Sequence, residues 1–187
     1  MSLIIPFKAG SITNLTDARF FAAYEVDYIG FCFDPQSPNY ISPQNALAIK
    51  GWIHGPKIVA EFANQDLDNV LNIINFFEPD VLEIGDEYFE GNNLLIKTDL
   101  PIIFKTSVGR LTSISEVNIL FILTAHNNSF DLPKYPFPIM LAITNEEFDI
   151  TTFMYDAIQI KGAAETEVGV RDYDTLGELM ERLLKIE

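Results

Sequence analysis

Residues 27–33 read Asp-Tyr-Ile-Gly-Phe-Cys-Phe, a run in which everything after the aspartate is apolar, aromatic or glycine. A strand with one wet face alternates polar and apolar residues. A run this continuous belongs to a strand buried on both faces, as in a parallel sheet covered by helices. The residues that follow agree. Ser42-Pro43 opens a helix through Ile49, with serine as its cap and proline at the first helical position. Lys57–Phe62 is the next short apolar strand, and Asp66–Phe77 follows with Leu67, Val70, Leu71 and Ile74 in helical step.

Outward from this stretch the alternation continues in both directions. Leu3–Lys8 reads as a first strand, and Asn14 or Thr13 caps a helix from Leu15 to about Tyr24. Downstream, Asp80–Ile84 is the fourth strand and Pro101–Thr106 the fifth, after a poorly periodic connection. Ile119–Thr124, Pro138–Ile143 and Ala157–Lys161 are the sixth to eighth strands, and a helix from Tyr173 to Leu184 ends the chain. Parallel strands need crossovers, which are usually helical, and eight strands suggest closure into a (β/α)8 barrel. A doubly wound open sheet is the alternative, disfavoured because no glycine-rich dinucleotide fingerprint follows the first strand. The later crossovers are thin. Residues 125–137 are rich in Asn and Pro, and residues 144–156 hold one short helix at most. The expected fold is therefore a single barrel domain over residues 1–187, trimmed, with short or missing helices after strands six and seven.

With 187 residues, 48% of them hydrophobic, the chain can bury a sizeable core. Its net charge of −15 repels phosphate backbones and anionic lipid, so neither nucleic acid nor a membrane is an expected partner. One cysteine, Cys32, and two histidines, His54 and His126, build neither a disulfide nor a familiar zinc site. No metal is expected. Met1–Lys8 lacks the order of a signal peptide, and the cytoplasm is the expected compartment.

Two stretches carry a family likeness. Lys8, Ile12-Thr13-Asn14 and Asp17-Ala18 resemble K-I-C-G-I-T-N-x-x-D-A. Gly30-Phe31-Cys32-Phe33 with Ser37-Pro38-Asn39-Tyr40-Ile41-Ser42-Pro43 and Ala46 resembles G-F-x-F-x-x-x-S-P-R-x-[IV]-[ST]-P-x-x-A. Both patterns are those of phosphoribosylanthranilate isomerase, a barrel enzyme of tryptophan synthesis. Phe62-Ala63-Asn64 and Gly85-Asp86-Glu87 are similar to the family's F-V-N and H-G-D-E. The likeness covers roughly the first half of the chain.

It implies a cofactor-free Amadori rearrangement, with a cysteine ending strand one as general base and an aspartate ending strand six as general acid. At the matching positions this chain has Gly10 and Thr124, and Asn39 replaces the substrate-contacting arginine. Glycine does not titrate, and threonine is no acid near neutral pH. The original isomerisation is therefore not expected. The expected function is binding of a small phosphorylated or anionic metabolite at the C-terminal mouth, where barrel active sites lie. The alternative is a non-catalytic interaction or regulatory barrel without a small-molecule ligand.

Candidate ligand residues are Lys8, Asn39, Thr144, Lys161 and Gly162, the last two because the strand-seven and strand-eight loops commonly hold phosphate. Lys8 reads equally as a rim lysine paired with a carboxylate, and Lys161 as a solvated loop residue. Lys8 and His126 are weak stand-ins for the missing proton-transfer groups. Glu61, Glu83 and Lys105 interrupt apolar strands, and the sequence leaves open whether they face the interior, where charges must be paired. Cys32 reads as a small buried hydrophobe. Thin helical cover exposes apolar barrel wall, and a homodimer is the assembly such a surface suggests.

Overall fold

Eight parallel strands close on themselves in the computed structural model, which describes residues 5–90, 93–106, 118–125, 137–143, 155–162, 165–167, 170–171 and 173–183. The strands are β1 (Phe7–Gly10), β2 (Tyr28–Cys32), β3 (Lys57–Glu61), β4 (Val81–Gly85), β5 (Ile102–Lys105), β6 (Ile119–Ala125), β7 (Ile139–Ala142) and β8 (Ala157–Lys161). Each pairs with its neighbours in sequence, and β1 pairs with β8 to complete the ring. The (β/α)8 class expected from the sequence is the one observed.

The described helices are α1 (Leu15–Ala23), α2 (Pro43–Lys50), α3 (Leu67–Phe77) and α4 (Tyr173–Leu183). The first three start where a side chain can take an orphan amide. Asn14 accepts from the Asp17 amide at 2.8 Å, Ser42 from Asn45 at 3.2 Å and Asp66 from Asn69 at 2.9 Å. Such caps contribute about 1 kcal/mol each. Between β4 and β5 the crossover is a 3-10 turn (Asp86–Tyr88) and a small antiparallel pairing of Phe89–Glu90 with Asn93–Leu94. Phe89 packs on Phe104 of β5, ring centroids 4.7 Å apart, doing a helix's work of covering the wall. The expected gaps after β6 and β7 fall on residues 126–136 and 144–154, outside the described residues.

One device recurs at the bottom of the barrel. Asp27, Asp80 and Asp156 each stand one residue before a strand, and each carboxylate accepts the amide of the preceding strand in the ring. Asp27 takes Phe7 at 2.8 Å, Asp80 takes Ile58 at 2.7 Å and Asp156 takes Ile139 at 2.8 Å. An edge amide that would otherwise lack a partner is satisfied, and the register of the pair is set. This corrects the first strand. It runs to Gly10 rather than ending at Lys8, because Asp27 fixes its start at Phe7.

Strand residues sort by parity, apart from a register shift in β6 where Leu120 and Phe121 both pack inward. Phe7, Ala9, Ile29, Phe31, Ala60, Leu82, Ile84, Phe104, Ile122, Leu141, Ile158 and Ile160 pack outward with the helices in one core. Tyr28, Val59, Val81, Ile103, Phe121, Leu123, Met140 and Ala157 fill the barrel interior as a second core. Both faces are apolar, which is why Asp27–Phe33 shows no alternation. The β1–β8 seam is backed by α1 and α4, where the Tyr173 hydroxyl donates to the buried Asp17 carboxylate. The Asn14 and Asp17 of the recognised motif thus build the helix cap and this closure.

Candidate functional site

Above the apolar interior core lies a cluster of polar side chains. Register pairs Lys8 with Gln159 and Glu61 with Glu83. The Lys8 ammonium donates to Glu61 Oε1 at 2.6 Å, to Gln159 Oε1 at 2.7 Å and to Glu83 Oε2. Lys8 is fully buried, and the two glutamates are only 5% and 6% exposed. The sequence left the orientation of these residues open; Glu61 and Glu83 face the interior. Lys8 is not a rim residue available to a ligand, because its three donor directions are spent on neighbours within the barrel.

The two carboxylates differ in their surroundings. Glu61 also accepts the Ser11 amide at 3.0 and 3.1 Å and the Ser11 hydroxyl at 2.8 Å. Burial raises its pKa, but Lys8 and these Ser11 donors prevail, and it lies below the usual glutamate value. Glu83 has fewer donors; burial and the neighbouring Glu61 outweigh Lys8 and Lys105, and its pKa lies above the usual value. For Lys8, burial alone would favour the neutral amine, yet the two carboxylates hold it charged, above its ordinary value.

Backbone geometry adapts to this layer. A β-carbon on Gly30 would stand 1.9 Å from Glu61 Oε1 and 3.1 Å from Lys8 Cε, so glycine makes room for the ion pair. Ser11 has φ 53°, in the left-handed region where glycine is favoured, and its two bonds to Glu61 hold it there.

Toward solvent, the inward parity continues to the rim. Gly10 pairs with Lys161 and Gly85 with Lys105, and both lysines are exposed. Two ammonium groups therefore stand at the mouth above a floor of carboxylates. Cys32 ends β2 rather than lying mid-strand and is half-buried, in register with Glu61. Burial pushes its thiol pKa up, so it is a poor thiolate. Asn39 is half-buried in the loop after β2, its amide donating to Ser37 Oγ at 3.2 Å. Gly162 approaches Asp17 so closely that a β-carbon would lie 2.5 Å from Oδ2, which makes packing sufficient reason for the glycine. Thr124 pairs with Leu141 of the outer core and so faces the helices, not the mouth. His126 and Thr144 lie outside the described residues.

No group of three or more metal-ligating side chains forms among the described residues. What the arrangement offers instead is two buried carboxylates on one ammonium, beneath two exposed ammonium groups.

No family model matches the chain. Over 91 residues it is 31% identical to N-(5'-phosphoribosyl)anthranilate isomerase of Thermotoga petrophila, a match covering 46% of this chain and 43% of that relative. The likeness read from the motifs holds. Over that stretch the chain is similar to the phosphoribosylanthranilate isomerases. The matched sequence spans less than half the length of that relative, whereas the structural likeness runs through the chain. The crystal structure of phosphoribosyl anthranilate isomerase from Thermus thermophilus superposes with a TM-score of 0.75 at 21% identity, covering 96% of this chain and 98% of that one. Monomers of the dimeric phosphoribosylanthranilate isomerase of Thermotoga maritima give 0.64 at 20% identity, covering 96% and 98%. At such identities the superpositions speak to the fold alone.

Glu61 and Glu83 are the site residues that sequence reading did not assign. Their signal was present, as two acids at matching ends of neighbouring apolar strands.

Proposed function

We propose that this single-domain barrel binds a small phosphorylated or anionic metabolite at its C-terminal mouth and does not carry out the phosphoribosylanthranilate rearrangement. The observation that carries the reading is the pair of exposed, inward-register lysines, Lys105 and Lys161, at the rim of a closed barrel. In a molecule of net charge −15, two exposed cations at the end of the fold where barrel active sites lie support an anion as the ligand there. Asn39 and Gly162 border the same end. The missing rearrangement follows from Gly10, which offers no base, and Thr124, which faces away from the mouth.

A thermal-shift series with ribose 5-phosphate tests this. A ligand at 100-fold its dissociation constant stabilises the fold by about 2.7 kcal/mol. An unmoved transition at millimolar concentrations counts against the reading.

Among the described residues no helix is long and apolar enough to cross a membrane, and one cysteine suits the reducing cytoplasm we assign it to. Trp52 is 71% exposed and Phe76 48% exposed on the α2–α3 side, which supports a homodimer as a second feature of this reading.

A further inference from the structure

We propose that Glu61 and Glu83 form a proton-transfer pair that acts on a small anionic carbonyl compound, such as a sugar phosphate, held at the mouth by Lys105 and Lys161. The inference deepens the ligand-binding reading above and rests on it.

Charge count is the first ground. Two carboxylates on adjacent strands share the one buried ammonium of Lys8, so a fully ionised trio would bury one uncompensated negative charge. Such a charge is costly in a dry site, and retention of a proton removes it. The bonding pattern says which carboxylate keeps it. Glu61 accepts from Lys8, from the Ser11 amide and from the Ser11 hydroxyl, all of which favour the ionised form. Glu83 faces Lys8 from β1, Glu61 from β3 and Lys105 from β5, and accepts a hydrogen bond from the Lys8 ammonium. The acid is therefore Glu83 and the base Glu61. The directions of their pKa shifts, down for Glu61 and up for Glu83, agree. Neighbouring carboxyls driven apart by their surroundings are the arrangement that acid–base catalysis uses.

Position is the second ground. The Glu61 carboxylate is bonded to Ser11, the residue that follows the end of β1 at the mouth of the barrel. Both glutamates keep slight exposure while Lys8 has none, so the side of the trio that meets solvent is the carboxylate side. Gly10 and Gly85 carry no side chain at the next inward positions, and the side chains that approach there are the polar ends of Gln159 and Glu87.

The step balances without oxidant or cofactor. Glu61 takes the proton from the carbon beside the carbonyl, and that C–H electron pair becomes a C=C bond. Glu83 gives its proton to the carbonyl oxygen as the C=O π bond opens, leaving an enediol. In the second half Glu61 returns a proton to the former carbonyl carbon, and Glu83 takes the proton of the adjacent hydroxyl. The carbonyl has moved by one carbon and both glutamates are restored.

The test is proton NMR of ribulose 5-phosphate in deuterium oxide with the wild-type protein, Glu61→Gln and Glu83→Gln, alongside ligand-observed binding. Expected are loss of the C–H signals beside the carbonyl, and a fall in that exchange of about 10²- to 10⁴-fold in each variant. Binding of ribulose 5-phosphate without exchange overturns the pair and leaves the ligand reading intact; neither binding nor exchange overturns both. Equal exchange in wild type and Glu83→Gln also overturns the pair. Should a variant fail to fold, carbon-13 NMR of the wild-type glutamate carboxyls decides. A Glu83 carboxyl that titrates above the ordinary glutamate value is expected, and titration at or below that value overturns the proposal.

Discussion

Glu61 Oε1 lies 1.9 Å from where a β-carbon on Gly30 would stand, so β2 is reduced to glycine at the point where β3 extends its carboxylate toward Lys8. Fold and site meet in this pair. A single methyl group at residue 30 forces the buried ion pair to move.

Gly30→Ala is therefore expected to destabilise the protein by roughly 1–3 kcal/mol from overpacking, and more where Lys8 and Glu61 part. Urea unfolding measures it. A loss below about 0.5 kcal/mol would show that Glu61 has room elsewhere.

Lys8→Met leaves Glu61 and Glu83 buried without their cation. Breaking a buried pair in this way costs about 3–5 kcal/mol near neutral pH. Without the ammonium both carboxyls rise in pKa and take protons, so the deficit should shrink as pH falls toward 4.5, the ordinary glutamate value. Stability measured at pH 4.5 and pH 8 checks this; a deficit equal at both values contradicts it.

The two glutamates pull stability in opposite directions with pH. Glu61, with its native pKa lowered, contributes stability that is present above pH 4.5 and lost as pH falls through its native value. Glu83, with its native pKa raised, favours the native state at low pH, and that contribution is lost as pH rises from 4.5 through its native value. Glu83→Gln removes only the second term. Its stability profile should be flatter than that of the wild type above pH 4.5, as unfolding curves across pH 4 to 8 would reveal. An unchanged slope would mean Glu83 is ionised like its neighbour.

Purified protein should not convert phosphoribosylanthranilate measurably. Losing a base and an acid reduces the rate by about 10⁴- to 10⁸-fold if their effects are independent. Gly10→Cys should not restore the reaction, because Thr124 faces the outer core and Gln159 Cδ lies 3.1 Å from a β-carbon at residue 10. Growth of a tryptophan auxotroph lacking this isomerase tests both, and colonies carrying the wild-type chain would contradict the expectation.

The barrel was legible because its signal is local and repeated. Runs such as Asp27–Phe33 show two-sided burial directly, and Asn14, Ser42 and Asp66 announce three helix starts. The Asp27, Asp80 and Asp156 amide acceptors were not read, since each acts on a strand about 17 to 22 residues away. Lys8 was placed at a strand end because its true boundary depends on Asp27. The orientation of Glu61 and Glu83 needed the closure of the ring, for only then does Lys8 meet both. Thr124 matched the family's acid by spacing alone, and one step of strand parity turns it outward.

The mouth as an anion site is tested most directly by lysine-resolved NMR during titration with ribose 5-phosphate and with inorganic phosphate. Lys105 and Lys161 resonances should move together and saturably, while Lys57, exposed at the opposite end of the barrel wall, stays put. Lys161→Ala should weaken binding about tenfold or more, as expected for a lost charge-assisted hydrogen bond. Unmoved Lys105 and Lys161 resonances, or a Lys57 shift of equal size, would contradict it.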